Sequence, residues 1–512
     1  MRRAPAPPHA RERRALQCRT PRGRIGLRLG ALVALVALVA SCSLQDEQPA
    51  TVTLPEMDTT TTTTPTAPGG QDELAPEGSA EPLPVEWITQ VGGPGDDVLS
   101  ALTGRQDRVV AVGSSTGGLD DGSAGASAGG ADVLVTIVDP TGEPEAVRTS
   151  GSTGDDRATG AATTGEGGAE GVTVCGSTAG DLGAASAGGV DLWCSLLDED
   201  GVLAPARQLG GPDDEELTDV GAATGAETSY ASGALSGLLP GAQDPAGRGL
   251  GNGDALVMQL GADAQAIWAR QFGTPLRDAA LAAAGSADGD GIAAGVTGGD
   301  LEGASAGADD GWVSRFDPQG NQRWITQVGS PGTDSLSAVA VAGDASRGTE
   351  MVVAAGVSDG DLDGDGPGTN AGLNDPVAVG VASDGTLEWV AQFGSESEET
   401  VGGVAVDGTT VYVTGSTSER LGDLVADGGP GGARDGFLAA VDALTGEVLW
   451  ISRFGSERDE EMTGLTVTET GLLVASGVTN GRVGDVPNAG GDDGFLIAFS
   501  LAAAGGGAAS SV

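Results

Sequence analysis

From Val85 onward, short apolar runs alternate with turns rich in Gly, Asp and Ser, and the runs recur in sets of four. In one set they cover residues 401–406, 410–416, 435–442 and 447–454. Val, Leu, Thr and aromatic side chains dominate these runs, at a length that suits strands. No segment carries a sustained apolar stripe at helical spacing. The third and fourth runs are joined by a tight turn, Ala443-Leu444-Thr445-Gly446, and the second and third by a long Gly/Asp loop. The pattern therefore predicts an all-β chain of four-stranded units.

A second pattern sets the number of units. A Gly followed five residues later by an acid occurs at Gly92/Asp97, Gly151/Asp156, Gly210/Glu215, Gly273/Asp278, Gly329/Asp334, Gly394/Glu399 and Gly455/Glu460, at intervals of 56 to 65 residues. Five residues before the Gly stands Trp87, Trp268, Trp324, Trp389 or Trp450, with Ala146 and Pro205 in the remaining two copies. Four strands repeated seven times predict a seven-bladed β-propeller of antiparallel blades. The last copy offers only three strands, near 461–467, 472–478 and 493–501, whereas the first begins with an unpartnered run at 85–91. That run is expected to complete the last blade and close the ring, which removes the exposed sheet edges. Val, Leu and Ala can fill the contacts between blades, so 3% aromatic content is compatible with the fold.

Units such as Trp324-Ile-Thr-Gln-Val-Gly329, followed by Val-type strands, a Gly-Val or Ser-Thr step and Asp-Gly-Phe-Leu, resemble the bacterial SBBP β-propeller repeat over roughly residues 85–501. The resemblance implies a cell-surface or secreted scaffold and says little about activity. The segment Ala440-Val-Asp442-Ala-Leu-Thr445-Gly446-Glu-Val-Leu-Trp450 is similar, more weakly, to the quinoprotein propeller repeat. It does so in one copy only, and the chain has no adjacent Cys pair.

The N-terminus reads as an export signal. Arg-rich residues 2–28 precede a 12-residue apolar run, 29–40, too short to span a bilayer but suited to a signal peptide. It ends in Val39-Ala40-Ser41-Cys42, which resembles a bacterial lipobox. The resemblance implies that residues 1–41 are a lipoprotein signal peptide and that Cys42 carries lipid on the outer face of the cell membrane. Plain secretion with an incidental Cys is the alternative. Residues 42–84, including six consecutive Thr at 59–64, read as a flexible tether, and 502–512 as a disordered tail.

Charge narrows the function further. Nine of the 25 basic residues and one of the 73 acids lie in residues 1–41, which leaves 16 against 72 in the remainder, a net charge of −56. Such a surface repels nucleic acid and anionic membranes and favours cations or basic partners. All basic residues are Arg, so no Lys Schiff base can form, and the single His is His9. Once the leader is removed, Ser-His-Asp and Cys-His catalysis and His-ligated metals are excluded.

Several candidate sites remain. The repeated acids Asp97, Asp156, Glu215, Asp278, Asp334, Glu399 and Glu460 either accept backbone N–H bonds within their turns or form an acidic ring that recruits cations or a basic partner. Asp361, Asp363 and Asp365 alternate as calcium ligands do, although Gly372 stands where an EF-hand places its Glu. No cofactor is expected, with calcium at these residues as the one alternative. Cys175 and Cys194 fall on neighbouring strands of one blade, as a disulfide or as two buried thiols. Trp193 and Trp312 lie outside the Trp register and are assigned to packing. The resulting expectation is a monomeric, lipid-anchored, non-catalytic surface that binds a protein or an envelope polymer. The alternative is a quinoprotein-like oxidoreductase or a glycan-acting enzyme built on carboxylates.

Overall fold

The computed structural model describes residues 83–501 apart from 118, 120–128, 166–170, 224–225, 244–250, 252, 304, 344–349, 363–371, 420, 422–424, 428–431, 433 and 485. The chain divides into two units, residues 1–67 and 68–512, and all described residues belong to the second. Cys42, Asp363 and Asp365, and the segments 1–41, 42–84 (save Leu83 and Pro84) and 502–512, lie outside the described residues.

Seven antiparallel sheets form a seven-bladed β-propeller. Blades 1 to 6 span residues 97–150, 156–209, 215–272, 278–328, 334–392 and 400–454. Blade 7 takes Glu460–Val467, Leu472–Thr479 and Asp493–Ser500 from the end of the chain and Val85–Val91 from its start. The expected closure is thus present. Trp87 lies opposite Ala498, and Val91 opposite Gly494. The first strand of every blade packs against the first strands of both neighbours, from blade 1 round to blade 7 and back, so these strands line the axis.

Each first strand carries one bulge, at Ser100, Thr159, Thr218, Leu281, Ser337, Gly402 and Thr463. A bulge adds twist and re-aims the strand. Next to it, the second strand always holds Gly: Gly113, Gly176, Gly233, Gly295, Gly356, Gly415 or Gly477. A Cβ at Gly176 would run into the carbonyl of Arg157, and one at Gly356 into that of Ser335.

The core lies between sheets and is built from small branched side chains. Val313, Val352, Val377, Val379 and Val381 form one such layer between blades 4 and 5. Trp193 and Trp312 are fully buried. Trp312 meets Phe272 edge to face at 5.4 Å and donates its indole N–H to the Val296 carbonyl at 3.0 Å.

At four of the seven junctions the Trp in register docks one blade on the next. Trp87, Trp268, Trp324 and Trp389 lie over Gly142, Gly320, Gly385 and Gly446, where a Cβ would clash with the indole. These turn glycines have φ of +86°, +77°, +92° and +74°, which L side chains adopt only with strain. Each indole N–H caps a carbonyl of the same turn, at Pro140, Pro318, Ser383 and Ala443. Where Pro205 replaces Trp, the outer strand of blade 2 shrinks to Arg207–Leu209, because proline offers no N–H to a ladder. One strand was not anticipated. Val425–Asp427, within the long loop of blade 6, runs parallel to the outer strand Val448–Phe454.

Candidate functional site

Strands one and three begin, and strands two and four end, on one face of the ring. All seven acids singled out by the repeat are buried there. Each accepts the backbone N–H of the residue four positions earlier. The distances are 2.7 Å from Gly93 to Asp97, 2.9 Å from Gly211 to Glu215 and 2.5 Å from Thr274 to Asp278. Ser330 to Asp334 is 2.6 Å, Ser395 to Glu399 3.1 Å and Ser456 to Glu460 2.8 Å, and Ser152 binds Asp156 in the same way. Hydroxyls at the end of the second strand add a further bond, as from Thr297 to Asp278, Thr417 to Glu399 and Thr479 to Glu460. These hydrogen bonds tie each acid into its own turn.

A second ring of carboxylates escaped the sequence reading. Asp132, Asp191, Asp254, Asp310, Asp375, Asp435 and Asp493 open the seven third strands, all buried. Their signal was available, because five of them precede the repeated Gly by 19 residues and Asp435 precedes it by 20. The repeated Gly exists for them. A Cβ at Gly273 would lie 2.8 Å from Asp254 Oδ1 and 2.7 Å from Asp278 Oδ2, so both carboxylates face one bare Cα. A glutamine two residues before that Gly completes the clasp. Gln208, Gln271 and Gln327 donate Nε2–H to Asp191, Asp254 and Asp310 at 2.7, 2.8 and 2.7 Å. Their Oε1 atoms accept the loop N–H groups of Leu182, Leu239 and Leu301. One carboxylate oxygen in each of Asp191, Asp310 and Asp493 is buried with no hydrogen-bond donor.

Burial pushes the carboxyls of Asp97, Glu215, Asp278, Asp334 and Glu460 above their ordinary range, offset by their hydrogen bonds and reinforced by the second-ring Asp beside each.

The axis holds a different arrangement. The seven bulges line a channel with a cavity volume of about 150 Å³. Hydroxyls at the bulges reach the next blade. Thr159 donates to the Leu217 carbonyl at 2.8 Å, Thr218 to Ala280 at 2.8 Å, Ser337 to Val401 at 3.4 Å and Thr463 to Leu99 at 2.5 Å. The residue after the bulge is Ala101, Gly160, Ala282, Ala338, Gly403 or Gly464 in six blades and Asp219 in blade 3. Asp219 lines the channel and is half-buried. Its oxygens accept the N–H of Val220 at 2.8 Å and of Ala283 in blade 4 at 3.0 Å. Burial raises its pKa to about 6, which the two N–H bonds only partly oppose.

A pH dependence follows from these shifts. A carboxyl whose folded pKa is raised stabilises the fold fully below the unfolded value and loses that contribution as pH rises through the folded value. The midpoint of thermal unfolding is therefore expected to fall from about pH 5 to pH 7.5 at fixed ionic strength. Asp219, shifted by roughly 2 units, accounts for at most about 3 kcal/mol, or about 3 °C for a domain of this size. Asp288 and Asp317 are held below the ordinary range by hydrogen bonds and Arg neighbours, so stability also declines at more acid pH. Melts across this range measure the effect, and a midpoint that climbs from pH 5 to 7.5 would refute it.

The remaining sequence candidates separate. Asp361 sits at the start of the long loop of blade 5, next to Leu362, whose N–H is held by Gln392. The described residues contain no group of three or more His, Cys, Asp or Glu placed to hold a metal. Cys175 and Cys194 face each other on the second and third strands of blade 2, with Cα atoms 4.1 Å apart and their sulfurs bonded.

No family model matches this chain. No curated protein matches it. Among solved structures, it is similar to hydrazine synthase of Kuenenia stuttgartiensis, at 12% identity and TM-score 0.42, over 76% of this chain and 93% of that one. It is also similar to Sqt1 of Chaetomium thermophilum, at 13% identity and TM-score 0.39, over 82% of this chain and all of that one. Neither likeness bears on what this chain does.

Proposed function

We propose that the chain is a lipid-anchored, extracytoplasmic propeller whose clasp face binds a protein or an envelope polymer without catalysis. One observation carries the reading: every long connection leaves that face. The connections between second and third strands run from 12 residues (179–190) to 18 (236–253), against two (106–107) to nine (198–206) for the turns on the opposite face. Long loops on a rigid frame are where recognition resides. The buried acids below them are committed to the frame, so the loops themselves supply the contacts. Leu238, Leu276 and Leu373 project from this face, 65%, 55% and 64% exposed. With the acidic surface, they suit a partner that is basic and partly apolar. The SBBP resemblance and the lipobox-like Cys42 support placing this surface outside the cell.

Two readouts test the proposal. The full chain is expected to fractionate with membranes and to incorporate labelled palmitate, and Cys42→Ser to lose the label and enter the soluble extracytoplasmic fraction. Membrane association that persists unlabelled in Cys42→Ser removes the anchor from the proposal. The anchored chain is also expected to retain an envelope component that high salt releases and that a Leu238→Ser, Leu276→Ser, Leu373→Ser triple variant no longer holds. Equal retention by that variant would move recognition away from the clasp face.

A further inference from the structure

We propose that the clasp between blades 6 and 7 is a binding site for a single phosphate group, held by Arg434, Arg453, Arg458 and Arg482. The sevenfold repeat supplies the comparison. Arg453 stands two residues before the repeated Gly, where five blades have the clasp glutamine and blade 1 has Thr149. Arg434 precedes the second-ring Asp, a place taken by Asp309 in blade 4 and Asp492 in blade 7. Arg458 follows the repeated Gly by three residues, as Asp213 does between blades 2 and 3. Arg482 opens the long loop of blade 7, where blades 2, 4 and 5 have Asp181, Asp300 and Asp361. Among the described residues, no other copy has a basic residue at any of these four positions. In a chain this acidic, the local reversal of charge is left to explain.

The backbone brings the four together. The Arg434 carbonyl accepts the Glu460 N–H at 3.0 Å, and Gly432 lies so close to Arg458 that a Cβ would run into its carbonyl. The Arg458 stem packs on Gly481, the residue before Arg482. Arg453 reaches Asp435, the residue after Arg434, at 3.5 Å. The frame does not use up these donors. In other blades the clasp glutamine donates to the second-ring Asp and accepts a loop N–H. Arg453 can take over only the donation, and it brings more N–H groups than one Asp needs. The Nε of Arg434 is buried without an acceptor. Burial holds the Glu461 carboxyl above its ordinary range despite the attraction of Arg434, so that carboxyl compensates the guanidinium incompletely. Glu457 and Asp459 flank Arg458, but all three are exposed, where opposite charges are screened and worth little. Guanidinium forks match phosphate oxygens two at a time, and several on one group favour a doubly charged phosphate over a carboxylate. The acidic surface elsewhere repels an extended polyanion, which limits the ligand to one local group. Inorganic phosphate and the phosphomonoester end of an envelope glycan share this chemistry. Leu238, Leu276 and Leu373 lie on blades 3 to 5, so this site and the binding proposed above stand or fall separately.

The test is calorimetric titration of the soluble Cys42→Ser chain with inorganic phosphate and, separately, with glycerol 3-phosphate, in phosphate-free buffer at physiological ionic strength. One saturable site per chain is expected. Tighter binding of glycerol 3-phosphate identifies the phosphomonoester as the source, and tighter binding of inorganic phosphate identifies the free ion. Arg453→Gln installs the residue that five blades already use, so the blade is expected to fold and the affinity to fall about tenfold or more. Arg458→Ala changes an exposed side chain and is expected to lower the affinity to a similar degree. Arg277→Ala, at the junction of blades 3 and 4, is expected to leave it unchanged. The absence of a saturable site for both probes in the parent chain would overturn the proposal. So would an affinity unchanged in either Arg453→Gln or Arg458→Ala, or an equal loss in Arg277→Ala.

Discussion

A chain that begins at residue 93 is expected to lose its cooperative thermal transition and to self-associate. Removal of Val85–Val91 takes away the outer strand of blade 7, paired with Asp493–Ser500 along its length. It also takes away Trp87, which covers Gly142 and caps the Pro140 carbonyl of blade 1, and Thr89, which binds the Gly142 carbonyl. Trp87 is half-buried, so its truncation alone costs less than the roughly 3–5 kcal/mol of a fully buried Trp, but it is lost together with a whole strand, against a total stability of about 5–15 kcal/mol for a folded protein. The deletion therefore removes the junction between blades 7 and 1 rather than weakening it. The uncovered strand carries Phe495, Ile497 and Phe499, an apolar edge open to pairing with another chain. Size exclusion and melting followed by far-UV circular dichroism measure both effects. A synthetic peptide of residues 83–92, added in trans, is expected to restore a sharp transition. A truncated chain that stays monomeric with an unchanged midpoint would show that another segment closes the ring.

The fold was legible because its determinants are local and repeated. Gly at Gly329, Trp at Trp324 and the acid at Asp334 each serve one contact that recurs around the ring, so the spacing encodes the blade. Even the closure followed from counting strands at the two ends. The second carboxylate ring was missed because Asp310 and its equivalents open apolar strands, where a single Asp looks like the end of the preceding loop. The Gln at Gln327 was missed because its partners, Asp310 and Leu301, are separated from it by 17 and 26 residues. Asp219 was missed for the opposite reason. It occurs once, and nothing in the sequence says that its neighbours in the repeat are Ala and Gly until the bulges fix the register. The Asp361-x-Asp363-x-Asp365 run attracted attention on composition, which carries little weight in a chain with 73 acids.

The clasp acids yield the second large effect, and Asp278 separates their structural role from their charge. Its carboxylate accepts the Thr274 N–H at 2.5 Å, the Thr274 hydroxyl at 3.0 Å and the Thr297 hydroxyl at 2.5 Å, all buried. Asp278→Ala strands these donors without water, at about 1–3 kcal/mol for each unsatisfied group. The hydroxyls can rotate toward other acceptors and the backbone N–H cannot, so the expected loss is about 3–5 kcal/mol. Asp278→Asn is expected to cost less than half as much. Its carbonyl oxygen can serve Thr274, and its amide can donate to the Thr297 hydroxyl and toward Asp254, whose Oδ1 faces the same Gly273. Its charge is gone as well. Burial and the Asp254 carboxylate both raise the Asp278 pKa, so the parent loses stability as pH rises through that value, and the Asn variant lacks this loss. The gap between parent and Asp278→Asn should therefore narrow from pH 5 to pH 8 in chemical denaturation, while Asp278→Ala stays well below both. An Ala variant within about 0.5 kcal/mol of the parent would mean that the turn closes without its acid. The ring of carboxylates would then be free to act as the cation-recruiting face that the sequence alone left open.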